Sequence, residues 1–152
     1  MSSSKGQIIH DADEAYKIAA KARTVAVLGI KTESQAGQPS FYVADYLHSR
    51  GVDIIPVPVY YPEVKTILGK EVVRDLKQIK EKVDILDVFR RPQDLPAHVP
   101  DMLALKPAVV WLQSGISHPE VEQQLSDAGI DVVVSRCLMV DHRAATAGRS
   151  AM

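Results

Sequence analysis

Two consecutive guanidinium groups, Arg90 and Arg91, close the apolar run Asp84-Ile-Leu-Asp-Val-Phe89. Guanidinium forks match phosphate oxygens in two-pronged geometry, so a pair at the end of a strand can hold a phosphorylated ligand. Arg136 and Arg143 could add to the same field. Gly29-Ile30-Lys31 closes a second apolar run, Thr24-Val-Ala-Val-Leu28. A glycine there lets the backbone approach a phosphate, while the next helix offers free N–H groups and Lys31 a full charge. The plainer alternative for this loop is a tight turn beside a solvated lysine. Gln113-Ser114-Gly115-Ile116 follows a third run, Ala108-Val-Val-Trp-Leu112, and supplies a hydrogen-bonding amide and another glycine turn. Trp111, inside that run, reads as core.

The elements that must position these loops alternate. Short apolar runs at 24–28, 52–57, 84–89, 108–112 and 131–134 read as strands buried on both faces. Between them lie helical stretches: one from Pro39 and Ser40 to Gly51, a short one near Asp75 to Ile79, one over Leu95 to Leu105, and one behind Ser117-His-Pro-Glu120, which has the form of a capping box and stops at Gly129. Asp11 and Glu14 form a similar start for an N-terminal helix. The reading is a single Rossmann-like three-layer α/β domain over residues 1–152. It has a five-stranded parallel sheet of order 3-2-1-4-5 with helices on both faces, residues 1–7 a mobile tail and 8–23 a helix packed on the domain. In such a sheet, ligands bind beyond the carboxyl ends of the strands where the winding reverses, which is where the loops above begin.

Composition excludes several classes. The 152 residues are 46% hydrophobic and 24% charged, with a formal net charge of -1, so the surface is not broadly basic and nucleic acid is not an expected partner. No apolar run approaches the roughly 20 residues that cross a bilayer, and the N-terminus lacks the apolar core of a signal peptide; a cytoplasmic protein without a membrane partner is expected. One cysteine and five scattered histidines offer no zinc site. The first loop is neither G-x-G-x-x-G nor a Walker sequence, and the second strand ends Pro56-Val57-Pro58, where NAD-binding domains carry an acid. A nucleotide other than NAD is favoured. A protein partner leaves no readable signature.

Taken in order, Val27-Leu-Gly-Ile-Lys31, Gly37-Gln-Pro-Ser40 with Tyr42-Val43, Ile55-Pro-Val57, Leu68-Gly69, Val83-Asp-Ile-Leu-Asp-Val-Phe-Arg-Arg91, Val110-Trp-Leu-Gln-Ser-Gly-Ile116, Arg136-Cys137 and Asp141-His142 resemble the small stand-alone CoA-binding proteins. Those in turn are similar to the N-terminal domain of the succinyl-CoA synthetase α-subunit. The resemblance implies coenzyme A or an acyl-CoA as ligand. It places phosphates at Gly29, Ile30, Lys31 and Ser40, and the adenosine and pantetheine path along Pro56, Val57 and Pro58, along Val88, Phe89 and Arg90, and along Gln113, Ser114, Gly115 and Ile116. The chain departs from the family at Pro58, where an asparagine is frequent, and at Ser135, where an acid is. The ligase's second domain and its phosphorylated histidine have no counterpart, so the expected function is non-catalytic binding. The alternatives are an enzyme using a nucleotide cofactor, by acyl transfer or with a nicotinamide, and a CoA-sensing regulatory partner. Cys137 and His142 could be a nucleophile and base, or Cys137 a thiol that pairs with CoA; the habits of these residues favour a buried small hydrophobe and a structural histidine. No catalytic residue and no metal ligand is assigned.

Overall fold

A computed structural model describes residues 5–150, with side chains as far as residue 147. Residues 1–4 of the expected tail lie outside it. β1 (Ile8–Ile9) leads through α1 (Ala12–Lys21) to β2 (Thr24–Leu28), and α2 (Pro39–Ser49) carries the chain to β3 (Asp53–Val57). A small antiparallel hairpin follows, β4 (Thr66–Ile67) and β5 (Lys70–Glu71). Then come β6 (Ile85–Val88), α3 (Leu95–Leu105), β7 (Val109–Leu112), α4 (Pro119–Asp127), β8 (Asp131–Val133) and α5 (Leu138–Ser150). The main strands are almost wholly buried because helices cover both faces, as in parallel sheets generally. One apolar layer joins the sheet to α1, α2 and α5, the other to α3 and α4.

The α/β class and the parallel sheet agree with the sequence reading, but the strand order does not. The sheet runs β3-β2-β6-β7-β8-β1. β6 pairs with β2 on the side away from β3, from Val25 opposite Ile85 to Leu28 opposite Val88. The expected order would have put Asp53–Val57 between two neighbours. Pro56 explains why it is an edge: proline cannot donate to a ladder and is tolerated where only one side is paired. The outer side of Pro56 instead accepts from the Val73 amide at 2.9 Å. The winding therefore reverses between β2 and β6, and the loops after Leu28 and Val88 become neighbours.

Three further differences concern the termini and one cap. Residues 8–9 are a sixth strand rather than the start of a helix, docked on β8 by Val132 N–H to Gln7 O (2.8 Å) and Val134 N–H to Ile9 O (3.0 Å). The helix begins at Ala12, with the Asp11 carboxylate accepting from Glu14 N–H at 3.0 Å. α4 is capped by His118 rather than Ser117: Pro119 takes the first helical position, so the residue before it is the cap, and its Nδ1 accepts from Val121 N–H at 3.2 Å. Glu122 closes the reciprocal bond to His118 N–H at 2.7 Å. α5 was not anticipated at all.

Candidate functional site

Gly29 has φ of +86°, and a Cβ there would stand 2.5 Å from the Phe89 carbonyl oxygen. Its N–H donates to Val57 O at 2.9 Å, and Phe89 N–H donates to Leu28 O at 2.9 Å, so three strand ends are laced together at this point. Lys31 N–H donates to Ser40 O at 3.0 Å, tying the loop to the first turn of α2. Beside this junction lies a hollow of about 220 Å³ lined by Gly29, Ile30, Lys31, Tyr60, Tyr61, Phe89, Arg90 and Arg91. Ile30 is 1% exposed and packs into the core.

Arg90 and Arg91 are held differently. The Arg90 side chain is 15% exposed; its Nε donates to His98 Nε2 at 3.1 Å, Asp94 lies 3.6 Å away, and the guanidinium sits 5.8 Å from the Tyr60 ring centre. Accepting that bond requires His98 to be neutral at Nε2. Burial first, and then the Arg90 charge, hold the His98 pKa below its ordinary value. Arg91 is 70% exposed and pairs with Asp94 at 2.9 Å. That pairing raises the Arg91 pKa and lowers that of Asp94.

Tyr60 and Tyr61 were not among the expected site residues. Their loop is fixed by Arg74, whose guanidinium donates to the carbonyls of Tyr60 (2.9 Å), Tyr61 (2.6 Å) and Val64 (2.9 Å). Tyr60 remains 59% exposed at the edge of the cationic hollow. The available signal was an aromatic pair just past a strand end; the link from Arg90 to His98 had none, since it joins a loop to a helix face.

Phe89, Arg90 and Arg91 also border a larger hollow of about 650 Å³, completed by Pro39, Ser40, Tyr42, Pro92, Gln113, Ser114, Ile116, Cys137, Met139 and Val140. The first turns of α2 and α5 form its walls. Gln113 is only 4% exposed, and its Oε1 accepts from Leu138 N–H at 3.1 Å, seating the start of α5. Gly115, at φ of +83°, donates its N–H to Ser135 Oγ at 3.0 Å and shapes the neighbouring turn without lining the hollow.

The other expected positions divide. Val57 and Pro58 line a separate hollow of about 190 Å³ with Arg74 and His98, while Pro56 and Val88 are buried and line none of these spaces. Cys137 and His142 do not come together: Cys137 borders the large hollow, whereas His142 bonds the Tyr46 hydroxyl at 2.9 Å and lines a hollow with Arg23 and Arg50. Arg136 is committed to Asp141 through contacts of 2.6 and 2.9 Å, and Arg143 stacks 5.3 Å from the Tyr46 ring centre, so neither adds to the crevice. Asp87, between Val27 and Trp111 in the sheet, is fully buried with no partner for either oxygen among the described residues, and desolvation pushes its pKa well up.

Comparison with known proteins matches residues 23–143 to the family described as the CoA binding domain. The Bacillus subtilis (strain 168) protein YneT is 31% identical over 129 residues, covering 85% of this chain and 92% of that one. A solved Thermus thermophilus structure, cell-free ID.343, is 44% identical with a TM-score of 0.79, covering 89% of this chain and 98% of that one. A hypothetical protein from Pyrococcus horikoshii OT3, 22% identical with a TM-score of 0.77 over 95% of this chain and 98% of its own, shares the fold. Among the described residues no helix is long and apolar enough to cross a membrane. The matched span contains every loop that meets at the Gly29 and Phe89 junction, and the chain belongs to the CoA binding domain family.

Proposed function

We propose that this protein is a single-domain, non-catalytic binder of coenzyme A or an acyl-CoA, working in the cytoplasm and using the crevice between the β2 and β6 loops. One observation carries the reading: the cationic hollow at Gly29 shares Phe89, Arg90 and Arg91 with a larger, mostly apolar one. Coenzyme A has the same division, a phosphorylated nucleotide joined to an uncharged arm. In this reading Lys31, Arg90 and the main chain at Gly29 take the phosphates, since a glycine without a Cβ leaves the backbone approachable. Tyr60 offers a ring to the base, and Gln113, Ser114 and Ile116 border the pantetheine arm. NAD is disfavoured because β3 ends at Val57, followed by Pro58, without an acid for the ribose.

Calorimetric titration with CoA, NAD and ATP tests this directly. Heat with CoA, and far weaker or no heat with NAD and ATP, is the expected result. Absence of CoA binding would overturn the proposal.

A further inference from the structure

The charges of the crevice are unevenly spread. Arg90 and Arg91 stand on the border shared by both hollows, and Lys31 lies wholly on the smaller side. Beyond that border, the 650 Å³ hollow is walled by Tyr42, Ile116, Cys137, Met139 and Val140, and among the described residues no further lysine, arginine or histidine and no carboxylate lines it. Tyr42 and Val140 are 38% and 51% exposed at its mouth, on the first turns of two different helices. Exposed apolar groups gathered around a concavity that continues a charged site are the mark of a ligand with an apolar end.

From this, and resting on the CoA reading above, we infer that the larger hollow, past the stretch of Gln113, Ser114 and Ile116 given to the pantetheine arm, holds an acyl subsite at Tyr42, Met139 and Val140, selective for thioesters with uncharged hydrocarbon acyl groups. A dicarboxylic acyl group such as succinyl would bring a carboxylate into a space where no cation of the described residues lies beyond the shared border, and desolvating an unpaired charge is costly. A hydrocarbon acyl group meets Tyr42, Met139 and Val140 and loses water on both sides of the contact. Each buried methylene contributes about 0.8 kcal/mol, which is roughly a fourfold gain in affinity.

The test is a titration series of CoA, acetyl-CoA, hexanoyl-CoA and succinyl-CoA on the intact chain, repeated with Val140→Asp, a substitution at a half-exposed rim position. Hexanoyl-CoA should bind at least about tenfold more tightly than acetyl-CoA, and succinyl-CoA no better than free CoA, by the methylene increment above. Val140→Asp should remove most of the hexanoyl advantage while leaving free CoA within about twofold. If CoA binds but the series is flat, or succinyl-CoA binds best, the acyl subsite is wrong and the CoA reading survives. If no member binds, both fail. A wild-type dimer that Val140→Asp dissociates, together with a flat series, would assign the apolar rim to a second copy of the chain and overturn the inference.

Discussion

The backbone of Gly29 lies so near that of Phe89 that a Cβ on the glycine would be 2.5 Å from the Phe89 carbonyl oxygen, and 3.3 Å from Arg90 Cδ. Because the glycine also sits at φ of +86°, a side chain is opposed twice, by its own conformation and by its neighbour. Gly29→Ala should cost about 1–3 kcal/mol of stability. It should also displace Arg90, so CoA affinity should fall by more than the stability loss alone explains. Chemical denaturation and calorimetry on the same sample check both.

Arg90, held by His98 and Asp94, is the better-oriented cation, whereas Arg91 is mostly in water. A charged hydrogen bond contributes about 1.5–3 kcal/mol, so Arg90→Ala should weaken CoA roughly 10- to 150-fold. Arg91→Ala should cost several-fold at most. If Arg90 meets the ribose phosphate, its loss will hurt CoA more than dephospho-CoA; equal losses would move its contact to the pyrophosphate.

His98 makes that orientation sensitive to pH. Its folded pKa lies below the unfolded value of about 6.5, so the unfolded chain binds more protons in the window between them. The stability it contributes is present above that window and is lost as pH falls through the folded pKa. Asp94 and Asp101 pull the other way but more weakly. CoA affinity should therefore drop as pH is lowered past the ordinary histidine value and through the folded pKa, because protonated His98 can no longer accept from Arg90 Nε. His98→Gln keeps an acceptor without the titration and should flatten that drop, measured as Kd against pH.

For Asp87 the sign is opposite. A carboxyl whose folded pKa is raised favours folding below its unfolded value of about 4, and that contribution is lost as pH rises through the folded value. Replacing a buried, unpartnered polar group with an apolar one is neutral or stabilising, here by on the order of 1–3 kcal/mol. Asp87→Leu should equal or exceed the wild type at pH 7–8 and lose the decline with pH, as followed by urea unfolding from pH 5 to 9. A large destabilisation at all pH values would mean that the carboxyl has an unrecognised role.

Arg136 and Asp141 give the converse case, since Asp141 is buried and paired. Arg136→Met should cost about 3–5 kcal/mol by leaving a buried charge alone. The double variant with Asp141→Leu should recover most of it, and thermal melts of the three proteins suffice to show this.

The alternation of apolar runs with capped helices was sufficient to read the α/β class, the first strand, the span of α3 and the loops worth examining, because burial on both faces and helical periodicity are local properties. Pro56 carried the information that β3 is an edge, yet the order of strands was still not legible: the chain between Val57 and Ile85 has no full helix to show which way it crosses. β1 escaped notice because two residues have no pattern, and only backbone bonds to β8, more than a hundred residues away, make them a strand. Among the site residues, Gly29, Lys31, Ser40, Phe89, Arg90, Gln113, Ser114 and Ile116 were named from the sequence and border the crevice. What tertiary structure alone decided was the pairing of β6 with β2, which brings Phe89 against Gly29. It also decided the clasp of Arg74 on the tyrosine loop, the commitment of Arg90 to His98, and the apolar walls contributed by α5. Each joins groups on different elements, and nothing local to either partner specifies such a contact.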